Sequence, residues 1–431
     1  MIKYFGTDGI RGKYGESLTL DVAHNLGRCL GVLNSGTVLV GTDTRFSSPL
    51  LKKELIKGLE EANIKVYDFN IISTPALIYL SKVYNTVAVM ITASHNPYQD
   101  NGLKVINRGT KLSVDDIKLV EANMGKLVKA KKQETIYVNI YDYFLHIKNL
   151  KIKKDLRVIF DLANGAYSNF AKDALSYYDF RRLYINDSPD GYNINKDCGS
   201  THMESLSKSV IDHKANIGFA FDGDGDRLMA VDKDGKVYDG DSLIFLMAKY
   251  LKEKGKLNQN TVVLAKDVNP GVIESYKKID IKVQLSDVGD ANIYAAMESE
   301  GLSLGGETSG HIIPMDYSFT GDGLYNALLI LSIISEEDKS LAELSSGISF
   351  YPMLKVNLEE FNEDAINSDE LKSQIGKLKE SINNKGLILV RRSGTEHLLR
   401  VFISTKSASQ NEEFMKIILS IVGVKKWKNT L

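Results

Sequence analysis

Only two cysteines, Cys29 and Cys198, occur in 431 residues. Two thiols give neither a disulfide framework nor a thiolate metal cluster. Charge of one sign is missing as well: 54 Lys and Arg stand against 55 Asp and Glu, a formal net charge of -1. That balance argues against nucleic acid or an anionic membrane as the main partner. No apolar run approaches a membrane span, and the opening Met1-Ile2-Lys3-Tyr4-Phe5-Gly6 lacks the shape of a signal peptide. A cytoplasmic protein is expected. Hydrophobic residues at 43% and charged residues at 25% are an ordinary soluble balance. The length exceeds what one core fills, so two to four domains are expected.

What is present is an alternation of strand-like and helix-like segments, the pattern of α/β domains with largely parallel sheets. Val38-Leu39-Val40 leads to a helix from Pro49 to Ala62, then a strand Ile64 to Phe69, a helix Ala76 to Val83 and a strand Thr86 to Ile91. Ser113, with Asp116 three residues on, predicts a capping box. The cycle restarts at Leu156 to Phe160 and again at Val262-Val263-Leu264, after a helix near Ser242 to Leu251; the third cycle ends in an apolar helix, Leu324 to Ile334. Lys126 to Gln133 reads as a surface connection. Beyond Tyr351-Pro352 a charged helix (Glu370 to Glu380), two strands (Leu387 to Val390, Leu398 to Ile403) and a last helix (Phe414 to Ile421) make a small α+β unit. The expected domains are 1–150, 151–254, 255–352 and 353–431.

Between the apolar runs Phe219-Ala220-Phe221 and Leu228 to Val231 lies Asp222-Gly223-Asp224-Gly225-Asp226-Arg227. Three alternating carboxylates repel one another unless a cation sits among them, and oxygen ligands on a compact loop suit Mg2+ or Ca2+. An EF-hand loop needs Gly at its sixth position and Glu at its twelfth, where this chain has Arg227 and Lys233. A solvated acidic turn is the other reading. The flanking strands favour a metal site, because sites form at strand ends in α/β proteins.

Three more loops carry chemical groups. Thr92-Ala93-Ser94-His95-Asn96-Pro97, followed by Asp100-Asn101-Gly102-Leu103-Lys104, puts a serine where a buried strand ends. Ser and Asn are also common turn formers, and the G-x-S-x-G elbow of hydrolases is absent. Gly305-Gly306-Glu307-Thr308-Ser309-Gly310-His311 offers groups that can grip sugar hydroxyls in pairs, or is a hairpin turn with an incidental His. Arg391-Arg392-Ser393-Gly394-Thr395-Glu396, with Arg400 beyond it, reads either as a phosphate cradle or as a basic turn on a solvated face.

Taken in order and spacing, these four motifs resemble the α-D-phosphohexomutases. Tyr4 to Gly12 and Gly41-Thr42-Asp43-Thr44-Arg45 resemble that family too, so the likeness covers essentially the whole chain. The opening segment and the Glu307 loop are most similar to the branch acting on amino-sugar phosphates. The resemblance implies three similar α/β domains with mixed, largely parallel sheets and a smaller C-terminal α+β domain around a central cleft. It implies that Ser94 is a phosphoserine and that Asp222, Asp224 and Asp226 bind one Mg2+ together with a phosphate oxygen on Ser94. Arg11, His95, Lys104 and Arg227 would surround the transferring phosphoryl group, with Lys104 a candidate general acid/base. Glu307, Thr308, Ser309 and His311 would contact the sugar, and Arg391, Ser393, Gly394, Thr395 and Arg400 the phosphate that is not reacting. A sugar 1,6-bisphosphate would be the intermediate and activator, the partner a phosphosugar, and the assembly a homodimer.

The implied activity is the interconversion of glucosamine 6-phosphate and glucosamine 1-phosphate, supplying UDP-N-acetylglucosamine. A mutase for mannose or glucose phosphates is the nearest alternative; a metal-dependent phosphatase or a non-catalytic sugar-phosphate binder lies further off. Three positions depart from the family pattern: His397 replaces a proline, Ala291 replaces a basic residue after Asp290, and Thr308 fills the variable place of the sugar loop.

Overall fold

The computed structural model describes residues 3–6, 8–130, 141–317, 319–383, 385–392 and 398–424. Three α/β units follow one another, each built on a sheet of the same topology. In the first, Thr37–Thr42 lies between parallel neighbours Lys65–Ile71 and Val87–Ile91, and Asp100–Asn107 runs antiparallel to Val87–Ile91. In the second, Arg157–Asp161 lies between Arg181–Ile185 and Ile217–Phe221, with Leu228–Asp232 antiparallel. In the third, Thr261–Ala265 lies between Lys282–Ser286 and Leu304–Gly306, with Ile312–Pro314 antiparallel.

Thr37–Thr42, Val87–Ile91, Ile217–Phe221 and Thr261–Ala265 are buried along their whole length. Parallel strands covered by helices on both faces require such continuous apolar runs. Asp100 to Lys104, which reads as loop because of its Asp, Asn and Gly, is strand. Its backbone is paired on both sides, with Ile10–Lys13 and with Val87–Ile91. Tertiary pairing overrides local composition there.

The shared topology has a consequence for function. The turn joining the third and fourth strands falls at the same place in each unit. In the first unit that turn carries Ser94, in the second the acidic triad, and in the third Glu307 to His311. Three of the four motifs are therefore one structural position repeated three times.

Helix starts are fixed by side chains. Ser113 and Asp116 form the capping box at Val114–Asn123, and Asp322 accepts the Tyr325 N–H at the head of the apolar helix Gly323–Glu337. One apolar core runs continuously through all three α/β units, from Leu39 and Met90 through Phe160 and Phe221 to Phe245 and Leu328. A second fills the space between the first sheet and helices Leu20–Cys29 and Ser48–Glu61.

The fourth unit is an antiparallel sheet in the order Met353–Leu358, Leu399–Ser404, Leu387–Arg392, with helices Asp369–Ser381 and Ala408–Ile421. Its apolar core is separate from the others. The connection read at Lys126 to Gln133 is described only as far as Ala130, where it packs beside Gly31. Among the described residues no helix is long and apolar enough to cross a membrane.

Candidate active site

Ser94 is buried where Val87–Ile91 ends, with φ 54°, in the left-handed region. Holding a non-glycine residue there costs roughly 1–3 kcal/mol, which the surroundings must offset. Its N–H donates to Thr92 Oγ1 at 2.9 Å, and its Oγ donates to Asp222 Oδ2 at 2.6 Å. The His95 ring nitrogen Nδ1 lies 3.4 Å from the same Oγ. The serine and acidic loops, 128 residues apart in sequence, therefore meet directly.

Asp222, Asp224 and Asp226 are all buried, and an oxygen of each lies within 4.8 Å of the others. Gly225, with φ 79°, makes the turn between them; a Cβ there would stand 2.4 Å from the Tyr167 ring. Thr74 Oγ1 donates to Asp224 Oδ2 at 2.6 Å, and Lys104 Nζ donates to the same oxygen at 2.8 Å. Oδ1 of Asp224 and Oδ1 of Asp226 are buried with no hydrogen-bond partner among the described residues. Buried carboxylate oxygens are rarely left so. Two such oxygens beside Asp222 fit a hard divalent cation, which takes oxygen ligands. The triad can hold a metal.

The electrostatics agree. Burial pushes the Asp222 carboxyl well above the usual carboxylate range, and the charges of Asp226 and Asp224 push it further. Burial opposes the charge on Asp226 too, but Lys104 and His311 hold its pKa below the ordinary value. Burial disfavours the Lys104 ammonium, yet Asp224, Asp8 and Asp226 more than compensate and keep it charged. Burial likewise disfavours the Arg227 charge, and Asp222, Asp226 and Glu307 outweigh it. His95 is the exception: burial, then the charges of Arg227 and Arg11, push its pKa down to about 3.

Arg11 pairs with Asp8, whose carboxylate also lies 3.3 Å from Lys104. In the sugar loop, Glu307 Oε1 accepts the Gly289 N–H at 2.9 Å and Oε2 accepts the Ser309 hydroxyl at 3.4 Å. Thr308 Oγ1 donates to Asp241 Oδ2 at 3.0 Å, so its hydroxyl is engaged by the helix Gly240–Glu253. His311 Nε2 accepts the Gly321 N–H at 2.9 Å, and Nδ1 faces Asp226 Oδ1 at 3.8 Å. The Leu228 N–H donates to Gly310 O, tying the acidic and sugar loops together.

Arg391 and Arg400 stand opposite each other on neighbouring strands of the fourth unit, and Arg391 Nη2 lies 3.6 Å from Asp267 Oδ2 of the third. Ser393, Gly394 and Thr395, together with His397, lie outside the described residues. Lys355 joins this face: burial lowers its pKa and the charge of Arg400 adds to the shift. Sequence reading did not single out Lys355. Nor did it give roles to Asp8, Thr74, Lys111 or Asp290, although Lys111 Nζ bridges Asp8 at 2.5 Å and Asp290 at 2.6 Å. Asp8 carried one local signal, its place three residues before Arg11; Thr74 fell just outside the helix read from Ala76 to Val83 and carried none.

Three linked α/β units with a serine facing an acidic triad, and a fourth unit with its own core that sets Arg391 opposite Arg400, form an arrangement suited to phosphoryl chemistry, and comparison with known proteins agrees. Family models for phosphoglucomutase/phosphomannomutase match in order: alpha/beta/alpha domain I at residues 2–131, domain II at 141–235, domain III at 239–350 and the C-terminal domain at 352–420. A phosphoglucosamine mutase from Clostridioides difficile is 38% identical over 99% of this chain and 100% of its own length. The fold matches a phosphoglucomutase/phosphomannomutase family protein from Burkholderia thailandensis with a TM-score of 0.80 at 22% identity, over 99% of each chain. It also matches an Aspergillus fumigatus N-acetylphosphoglucosamine mutase in complex with glucose 1,6-bisphosphate, TM-score 0.65 at 16% identity, over 98% of this chain and 95% of that one. The chain belongs to the α-D-phosphohexomutase family, and is an isomerase.

Proposed function

We propose that this phosphohexomutase interconverts glucosamine 6-phosphate and glucosamine 1-phosphate through a phosphoserine at Ser94 and a sugar 1,6-bisphosphate. The observation that carries the chemistry is the 2.6 Å contact between Ser94 Oγ and Asp222 Oδ2. The choice of amino sugar rests on near-complete coverage of a phosphoglucosamine mutase at 38% identity. Supply of a sugar-nucleotide precursor fits a cytoplasmic place.

Asp222, Asp224 and Asp226 would hold Mg2+, with the fourth oxygen supplied by the phosphorylated Ser94. Bound there, the cation acts as a Lewis acid on the phosphoryl group. Arg227, Arg11 and His95 would surround the transferring group and bind its equatorial oxygens as it moves; positioning and charge neutralisation dominate such transfers. Lys104 is an ammonium among three carboxylates. Those carboxylates hold its proton tightly, so it would exchange a proton with the sugar hydroxyl only once the triad's charge is offset.

Glu307, Ser309 and His311 would orient the sugar, with Thr308 bracing the loop through Asp241. Arg391 and Arg400, with Ser393, Gly394 and Thr395, would grip the idle phosphate. The bisphosphate must turn round without escaping, so that either end is gripped while the other reacts. A fourth unit with its own core is suited to closing over it and excluding water.

The test is kcat/KM measured on the phosphates of glucosamine, mannose and glucose. Preference for glucosamine is expected; preference for either neutral sugar would contradict the amino-sugar assignment.

A further inference from the structure

Arg45 is 1% exposed and bears no part of the site described above. An arginine has five N–H donors in a rigid fork, and here all five are used. Nε donates to Asp43 Oδ2 at 2.8 Å. Nη1 donates to the carbonyls of Pro97 and, at 3.1 Å, Asp100, and Nη2 donates at 2.9 Å to those of both Ser94 and Asn96. Four of the five acceptors are thus main-chain oxygens of the serine loop. A buried charge held this way needs a counter-charge, which Asp43 supplies; Asp43 Oδ1 is satisfied in turn by Ser48 Oγ at 2.9 Å.

The second unit reaches the same two carbonyls. Asn195 Nδ2 donates to Ser94 O at 2.9 Å and to Asn96 O at 3.1 Å. The acidic loop packs against this junction: a Cβ on Gly223 would lie 2.7 Å from Ser94 O and 2.9 Å from Asn195 Nδ2. Ser94 O is therefore held from two units at once, while its N–H is held by Thr92 and its Oγ by Asp222.

We propose that Arg45 is a positioning residue for phosphoryl transfer. Seconded by Asn195, it pins the carbonyls of Ser94 and Asn96 so that Ser94 keeps its left-handed backbone and presents Oγ to the acidic loop. The inference rests on Ser94 being the nucleophile. A serine at φ 54° relaxes towards the ordinary regions when nothing opposes it. The rotation that would follow carries Oγ away from Asp222. Lysine cannot replace the guanidinium, because a single ammonium cannot reach four carbonyls and a carboxylate in one plane.

The experiment compares Arg45→Lys, Asn195→Ala and Ser94→Ala with the unaltered protein, using steady-state turnover and inorganic phosphate release. A misplaced nucleophile lowers kcat, so Arg45→Lys is expected to lose about 10²-fold and Asn195→Ala about tenfold. KM should stay within about threefold, because the clamp touches no substrate. Phosphate released per mutase turnover should rise about tenfold, as a phosphoserine out of register meets water more often than sugar. A merely structural role would lower the amount of folded protein without moving that ratio. If Arg45→Lys fails to give a cooperative thermal transition, Asn195→Ala alone decides. Normal kcat and phosphate release in the folded variants, with Ser94→Ala inactive, would overturn the clamp while sparing the nucleophile. Turnover by Ser94→Ala would overturn both.

Discussion

Ser94 Oγ donates a hydrogen bond to Asp222 Oδ2 at 2.6 Å, joining a turn of the first unit to the equivalent turn of the second. Phosphorylation of Ser94 removes that donor and brings a charge of about −1.5 to −2 beside three carboxylates. Two like unit charges 4 Å apart repel by about 4 kcal/mol at an effective dielectric constant of 20. The phosphorylated protein therefore needs a cation more than the unphosphorylated protein does. Chelation should lower turnover by at least roughly 10²-fold, since a Lewis-acid cation contributes several kcal/mol. Mg2+ should also raise the melting temperature of the phosphorylated form more than that of the unphosphorylated form. Equal shifts in the two forms, or turnover that survives chelation, would contradict this.

Thr74 donates to Asp224 Oδ2 at 2.6 Å, the same oxygen that accepts from Lys104, and so would orient Asp224 toward a cation held by the triad. Thr74→Val keeps the shape and removes the donor. Loss of such an outer partner typically costs about 10–100-fold in metal affinity. Turnover titrated against Mg2+ should show half-saturation shifted upward by that order. An unchanged half-saturation would mean that the Thr74 hydroxyl does not tune the metal site.

Burial, then the charges of Arg227 and Arg11, push the His95 pKa down to about 3, so the folded protein keeps the ring neutral around neutral pH. An unfolded histidine titrates at about 6.5. Between about pH 6.5 and about pH 3 the unfolded chain therefore binds the extra proton, and this group's contribution to stability falls as pH falls through that window. Histidine NMR should show a neutral His95 ring from pH 5 to pH 8 in the native protein. Titration near pH 6.5 would place the ring in solvent instead.

Arg391 stands opposite Arg400 on the sheet of the fourth unit, 3.6 Å from Asp267 Oδ2 of the third. If Arg391 grips the idle phosphate as proposed, replacing it with Ala removes a charge-assisted contact of about 1.5–3 kcal/mol. KM should rise by roughly 10- to 100-fold. An unchanged KM would remove Arg391 from the cradle.

The alternating pattern made the α/β units legible, because buried parallel strands such as Val87–Ile91 and Ile217–Phe221 must be continuous apolar runs. The Ser113–Asp116 capping box was legible for the same local reason. The triad could be read as a cation site because alternating carboxylates between strands have few other uses. What could not be read was contact between residues far apart in sequence, across units or, for Arg45, within the first. Nothing local joins Thr74 to Asp224, Lys111 to Asp290, or Arg45 to the carbonyls of residues 94 to 100. Such pairs follow from the register of three separate sheets, and period and composition carry no record of it. Lys104 illustrates the limit: its neighbours Asp, Asn and Gly suggest a loop, yet it sits on a paired strand opposite Met90.

The central claim is that Ser94 carries the phosphoryl group between the two ends of the sugar. The most direct measurement is to incubate the protein with Mg2+ and a sugar 1,6-bisphosphate, then combine intact mass with peptide mapping. One added phosphoryl group on the peptide holding Ser94 is expected, and it should exchange with the phosphate of an isotopically labelled sugar monophosphate while the protein stays phosphorylated through turnover. Phosphate on a different residue, or full turnover with none on the protein at any time, would contradict the account.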